Sequence, residues 1–289
     1  MARNNMSPAA QIEYDALVKA QYRSEGWKLR GAMRMRTNVV GSSVQFRRMG
    51  AVTSVPGGYA QKVTGQNPGI SVPTASLVKH VTPVYTDSVE ELTVNYDAKM
   101  ESVTAIGQAM GRRSDQIGIN ALAAVTYSAT PSDTQGTLVV AGTTGFSYDK
   151  YTSIIEAFEE RGVPLNDRFV AVSARQFKQL LNEDEFINGF YTNNKVVDKG
   201  MIRDFLGANF LTIPAMTEGG LPAGAGGATE VRAFAWHRES LGMGIGMDFR
   251  AEVNYIAAET SWLANGIFSA GAVVIDERGV IAVDTLLNP

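Results

Sequence analysis

The 289 residues are 45% apolar and 19% charged, a composition that excludes a disordered chain and allows a sizeable core in one large or two smaller domains. With no cysteine, disulfides, thiolate metal sites and cysteine nucleophiles are excluded. The net charge of −3 is unevenly placed: residues 1–50 carry nine positives against three negatives, +6, which leaves −9 for the remainder. Such an arm is either simply solvated, laid against acidic surfaces of neighbouring subunits, or facing nucleic acid. Overall acidity argues against a dedicated nucleic-acid binder.

Ser7-Pro8 opens a first predicted helix, with Ser at the N-cap and Pro at the first helical position, and Gly26 stops it. Met1–Ala20 holds no continuous apolar run, and the best apolar stretch, Ala270–Ile275, is strand-sized, so the expectation is a soluble chain made in the cytoplasm. Trp27–Gly41 reads as extended and basic. Val44–Arg47 and Ser76–Tyr85 alternate as strands around turn formers from Pro56 to Pro73, which predicts a long hairpin. It has little apolar content of its own, so it needs support from another surface.

Asp87–Thr93 reads as a short acidic helix. Asp97 then caps a proline-free run to about Tyr127, with Val103, Ile106, Met110, Ile117, Ala121 and Ala124 as its stripe. Unbroken, it would reach roughly 45 Å. Gly107, Gly111 and Gly118 weaken it, and predict either close packing against a sheet or a break at Gly111.

Beyond a Ser/Thr/Gly-rich connector holding a strand at Leu138–Ala141, Ser147 caps a helix with Tyr151, Ile154, Ile155 and Phe158 inward. Arg168–Val172 is a β-branched strand, and Ser173–Gln176 matches a capping box opening a helix to about Asn182. Further strands are expected at Gly207–Pro214, Val231–Arg238 and Phe249–Ile256. The loop Gly219–Gly227 between them reads as mobile and exposed. Ala270–Ile275 and Val280–Asp284 around Asp276–Gly279 predict a closing hairpin with Gly279 left-handed. The fold class is α+β.

Little chemistry is legible. His80 and His237 are the only histidines and lack metal spacing. His237-Arg238-Glu239-Ser240 is not a nucleophile elbow, since neighbouring strand residues point to opposite faces. Gly242-Met243-Gly244-Ile245-Gly246 lacks the third glycine of a dinucleotide loop and is read as a bulge or turn. Asn182–Glu185 is an acidic knot at a helix end, and Arg112-Arg113 would pair with it or with Asp87, Glu90 and Glu91. No catalytic, cofactor-binding or metal-binding residue and no cofactor is expected.

Taken in order, four motifs carry a resemblance. Gly41–Phe46 resembles the strand entering the E-loop of tailed-phage major capsid proteins, the Johnson fold, with the podovirus-type group nearest. Gly111–Gln116 resembles their spine-helix segment, Phe205–Phe210 the strand entry after the A-domain helices, and Gly271–Val280 the closing hairpin. The resemblance implies an N-arm at 1–50, an E-loop at 51–86, a P-domain with spine helix at 87–146, an A-domain at 147–265, and a C-terminal hairpin at 266–289 returning to the P-domain. It further implies a non-enzymatic virion protein that forms pentamers and hexamers of an icosahedral shell around phage DNA, assembled in the host cytoplasm. The tongue would lie over an adjacent subunit and the Gly219–Gly227 loop would approach the capsomer centre. Expected partners are other copies, a separate scaffolding protein, a portal, non-specifically contacted DNA and decoration proteins. Lys62 and Lys79 lie in the tongue, but no acidic catalyst for a crosslink is legible. An encapsulin-like nanocompartment shell, an α+β enzyme and a nucleic-acid binder acting through the arm are the competing readings.

Overall fold

The structure, a computed structural model, describes residues 26–287 apart from 61, 63, 88–97, 184–196, 199–200, 203 and 216. The predicted helices at Ser7 and at Asp87–Thr93, and the end of the acidic knot, lie outside the described residues.

A 3-10 turn at Arg30–Ala32 leads into β1 (Arg34–Arg36). A stepped hairpin follows: β2 (Ser43–Gln45) and β3 (Arg48–Met49) go out, β4 (Ile70–Ser71) and β5 (Thr74–Ser76) return. Next come β6 (Val78–Asp87), the long helix α1 (Ala98–Ala123), β7 (Tyr127–Ser128) and β8 (Gly136–Val139). Then α2 (Tyr148–Glu160), β9 (Arg168–Ser173) and α3 (Ala174–Leu180) follow. Four two-residue strands, β10 (Val197–Asp198), β11 (Met201–Ile202), β12 (Asp204–Phe205) and β14 (Ala223–Gly224), accompany β13 (Ala208–Ile213). The chain closes with β15 (Gly227–His237), β16 (Leu241–Ile256), β17 (Ser261–Val274) and β18 (Val280–Leu286).

Two sheets organise these elements. The first is four-stranded in the order β1-β16-β17-β6, with α1 packed on one face. The second is eight-stranded, with β13, β9, β15, β18, β8 and β7 in succession, covered by α2 and α3. Alternation along β15 joins the two cores: Ala233 and Ala235 pack under α2, while Phe234 and Trp236 belong to the core shared with α1 and the arm. Buried Trp236 donates its indole N–H to the Ala32 carbonyl at 2.7 Å, so the arm is part of the core.

The capping box at Ser173 and Gln176 forms as expected, and Ser147 caps α2. The spine helix is unbroken at Gly111 and ends at Ala123, about 39 Å long, rather than running to Tyr127. Tyr127 instead turns its hydroxyl back onto the Leu122 carbonyl at 2.7 Å.

The helix glycines do not pack on the sheet. A Cβ on Gly118 would meet Leu29 and Met33 of the arm at 3.1 Å, the backbone of Gly111 is met by Gly26, and Gly107 faces open space. The glycine that seats the helix against the sheet is in the strand: a Cβ on Gly266 would lie 2.3 Å from Ile106.

Further expectations are corrected in whole or in part. β6 pairs with β17 over its whole length, so the tongue returns through β4 and β5 and not through Ser76–Tyr85. Gly242–Gly246, expected as a bulge or turn, lies inside β16 and is not a turn, and the expected bulge is present where the register slips between Ile245 and Met247. Ala270–Ile275 and Val280–Asp284 do not form a hairpin, because β17 pairs with β16 and β6 while β18 pairs with β15 and β8. Gly279 is accordingly not left-handed; it is small because a Cβ there would lie 1.9 Å from the Ser240 hydroxyl, where the two crossovers between the sheets touch. Finally, the Gly219–Gly227 loop is anchored at three points. The Gly219 N–H donates to Gln116 Oε1 at 2.6 Å, that of Ala225 to Asp284 at 3.2 Å, and that of Gly226 to Glu230 at 2.7 Å.

Candidate functional site

One turn of the spine ties the molecule together. Asp115, 3% exposed, accepts the backbone N–H groups of Lys28 at 3.1 Å and Leu29 at 3.0 Å and so pins the arm just before its 3-10 turn. Burial raises its carboxyl above the ordinary aspartate value, opposed by those two hydrogen bonds. Arg113 donates its Nε–H to His80 Nδ1 on β6 at 3.3 Å, and Gln116 holds Gly219. Gly111–Gln116 thus bonds to the arm, the first sheet and the loop before β14. Asp115→Ala leaves two backbone N–H groups without their acceptor, and a loss of about 2–4 kcal/mol is expected in urea unfolding of the unassembled chain. An unchanged midpoint would show this contact to be dispensable.

The face of the first sheet turned away from α1 has two halves. On the upper half, Gly242, Gly244 and Gly246 alternate along β16, so all three present hydrogens on one side. The tongue base sits in that groove: a Cβ on Gly244 would lie 2.3 Å from Val44, one on Gly242 2.8 Å from Phe46, and one on Gly246 3.1 Å from Leu77. Val44, Phe46, Ala75 and Ile275 form a small separate core there. Arg48 fastens the same base by bonding Asp276 at 3.1 Å and Glu277 at 3.0 Å.

The lower half carries Val81, Pro83 and Tyr85 of β6 opposite Ile267, Asn265 and Leu263 of β17. Val81 is 51% and Tyr85 55% exposed, and Met247 is exposed on the same side. Beyond β3 and β4 the tongue likewise exposes Val52, Val55 and Tyr59, and Val72 is exposed between β4 and β5. Its tip is closed by Gln66, whose amide accepts from the Thr53 N–H at 3.0 Å and donates to its carbonyl at 2.6 Å. Exposed apolar surface on this scale marks association surfaces.

Half of the positive side chains in the described part of the arm are ion-paired within the chain. Arg30 pairs with Asp248 at 3.1 Å, Arg34 with Glu239 at 3.3 Å and Arg48 with the Asp276 turn. Among the described residues, Arg36 bonds only the Gln45 carbonyl and Arg47 has no carboxylate partner. Both line a cleft of about 960 Å³ between β1 and β2. Arg113 donates to His80, while Glu90, Glu91 and most of the acidic knot, with which Arg112-Arg113 was expected to pair, lie outside the described residues. His237 is a local cap, its Nδ1 accepting the Glu239 N–H at 3.2 Å, and Ser240 is buried against Gly279. Among the described residues no three His, Asp or Glu side chains cluster as metal ligands, and no helix is long and apolar enough to cross a membrane.

Residues missed from sequence are Asp115, Gln116 and the alternate glycines of β16; the last carried a visible signal, a glycine at every second position within an apolar run.

No curated protein matches the chain. Solved structures do: the capsid of cyanophage P-SCSP1u is 16% identical over 94% of this chain and 92% of its own, with a TM-score of 0.73. The mature capsid of bacteriophage PhiM1 is 15% identical over 96% and 92%, with a TM-score of 0.72. The head structure of Helicobacter pylori bacteriophage KHP40 is 12% identical over 100% of both chains, also at 0.72. At these identities the likeness is one of fold, and it spans arm, tongue, spine and both sheets. A model of the family described as phage capsid protein matches residues 6–286, nearly the whole chain, and the chain therefore belongs to the phage capsid protein family.

Proposed function

We propose that this capsid protein builds a closed icosahedral shell of pentamers and hexamers around phage DNA, acting through association geometry and not through catalysis. The arm, tongue, spine-bearing sheet and second sheet take the roles of N-arm, E-loop, P-domain and A-domain. The observation that carries the reading is the half-covered sheet face. The chain's own tongue base fills the upper half, and the lower half, with its apolar row of Val81, Tyr85, Leu263 and Ile267, is left for the exposed tongue of a second copy. Edge pairing is disfavoured, because Pro83 and Lys79 in β6 blunt that edge, so the tongue lies across the face instead of adding a strand. Repeated in every subunit, contacts that are individually modest sum to a stable shell.

A separate scaffolding protein and a portal complete the reading, with decoration proteins on the outside and non-specific contact to DNA within. Arg30, Arg34 and Arg48 are already ion-paired, so within the described part of the arm the charge left for DNA is that of Lys28, Arg36 and Arg47. Size-exclusion chromatography with light scattering and negative-stain microscopy tests the proposal, with and without a scaffolding protein. Rings of five and six subunits or closed shells are expected. A monomer or dimer under every condition overturns it.

A further inference from the structure

His80 stands where three elements meet. It lies on β6 with its ring 5.1 Å from that of Phe268 on β17, and its Nδ1 accepts the Nε–H of Arg113 from α1. The charged groups acting on the ring are Arg113 and Glu218, the latter on the turn that the Gly219–Gln116 hydrogen bond fixes to the spine three residues beyond Arg113. An imidazole that accepts from a guanidinium does so only when neutral. Once Nδ1 carries a proton it is a second donor facing a cation, and the carboxylate whose field favours that charged form is Glu218.

We propose that His80 is a pH-sensitive latch between the spine helix and the first sheet, which when neutral holds Arg113 and when protonated releases it and turns to Glu218. The balance of forces agrees: burial first, and Arg113 second, hold the imidazole below its ordinary value of 6.5, while Glu218 acts in the opposite direction. The sign follows. A histidine with a depressed folded-state value stabilises the fold at neutral pH, and that contribution is lost as the pH falls from 6.5 through the folded value. The latch is a property of the single chain and does not rest on the assembly reading.

The chain has only two histidines, so both ring signals are followed directly by NMR in the unassembled protein, assigned by comparison with His80→Gln. His80 is expected to titrate below 6.5 and, in Glu218→Gln, lower still. His80→Gln keeps an acceptor for Arg113 but cannot titrate. Between pH 7.5 and 5 the native chain is expected to lose a few degrees more of thermal midpoint than this variant does. Titration of His80 at or above 6.5, a rise in Glu218→Gln, or identical pH profiles for the native chain and His80→Gln would each overturn the latch.

Discussion

Gly271→Ala is expected to unseat the tongue and to unfold the unassembled chain at markedly lower temperature. A Cβ at 271 would lie 2.1 Å from the Ser76 carbonyl oxygen and 2.9 Å from its carbon, both backbone atoms. Neither partner can step aside. Gly271 is paired with Gly244 in β16, and β5 is held between its pairing to β2 and the small core of Val44, Phe46 and Ala75. Overpacking of this kind costs about 1–3 kcal/mol even where side chains give way, and here only backbone is available, so the upper end or beyond is expected. Gly107→Ala supplies the opposite sign from the same chemical change. Nothing lies within 4 Å of its Cβ and the residue is mid-helix, so the methyl should stabilise by about 0.5–1 kcal/mol. Calorimetry of the two variants decides the matter; a Gly271→Ala midpoint that does not fall would mean that the strand crossing is looser than its geometry, and a falling Gly107→Ala midpoint that the helix position is not open.

Why the two glycines differ was not visible along the chain. Periodicity placed α1, α2, β9 and α3 well, because their signals are local: a cap, a 3.6-residue stripe, a β-branched run. Glycines in β16 and β17 defeated the same reasoning. In sequence, a glycine at every second position looks like a bulge or turn; a bulge is there, but in the sheet the glycines are a groove whose reason, the tongue base, lies some two hundred residues earlier. The closing segment failed for a related cause. Asp276–Gly279 does reverse the chain locally, but whether the flanking strands pair with each other depends on β6, β8 and β15, which no local pattern reports.

The candidate site shows the same division. That the arm is basic is a count; that its arginines meet Asp248, Glu239 and Asp276 is tertiary. The loop at Gly219 has the composition of a flexible segment, and its anchors Gln116 and Asp284 are invisible from within it. The tongue was legible because it lacks a core of its own, and an exposed hairpin of that kind needs a surface elsewhere.

That surface yields the sharper test of assembly. Val81→Glu and Tyr85→Glu each place a carboxylate on the bare half of the sheet face, where the side chain is about half exposed in the single chain. In the isolated protein the charge stays hydrated, so the thermal midpoint should move little. In the proposed shell the same charge would be buried beneath a neighbour's tongue without a partner, and an unpaired buried ion costs several kcal/mol. Because the substitution recurs in every subunit, the penalty is paid at each contact, and closed shells are expected to be lost while soluble, folded chain remains. Replacing residues 52–68 by a short Gly/Ser linker removes the other side of the same contact and should give the same phenotype. If the face variants assemble normally and the tongue deletion does not, the tongue docks on a different surface; if both assemble, the shell is held by the second sheet and the arm alone.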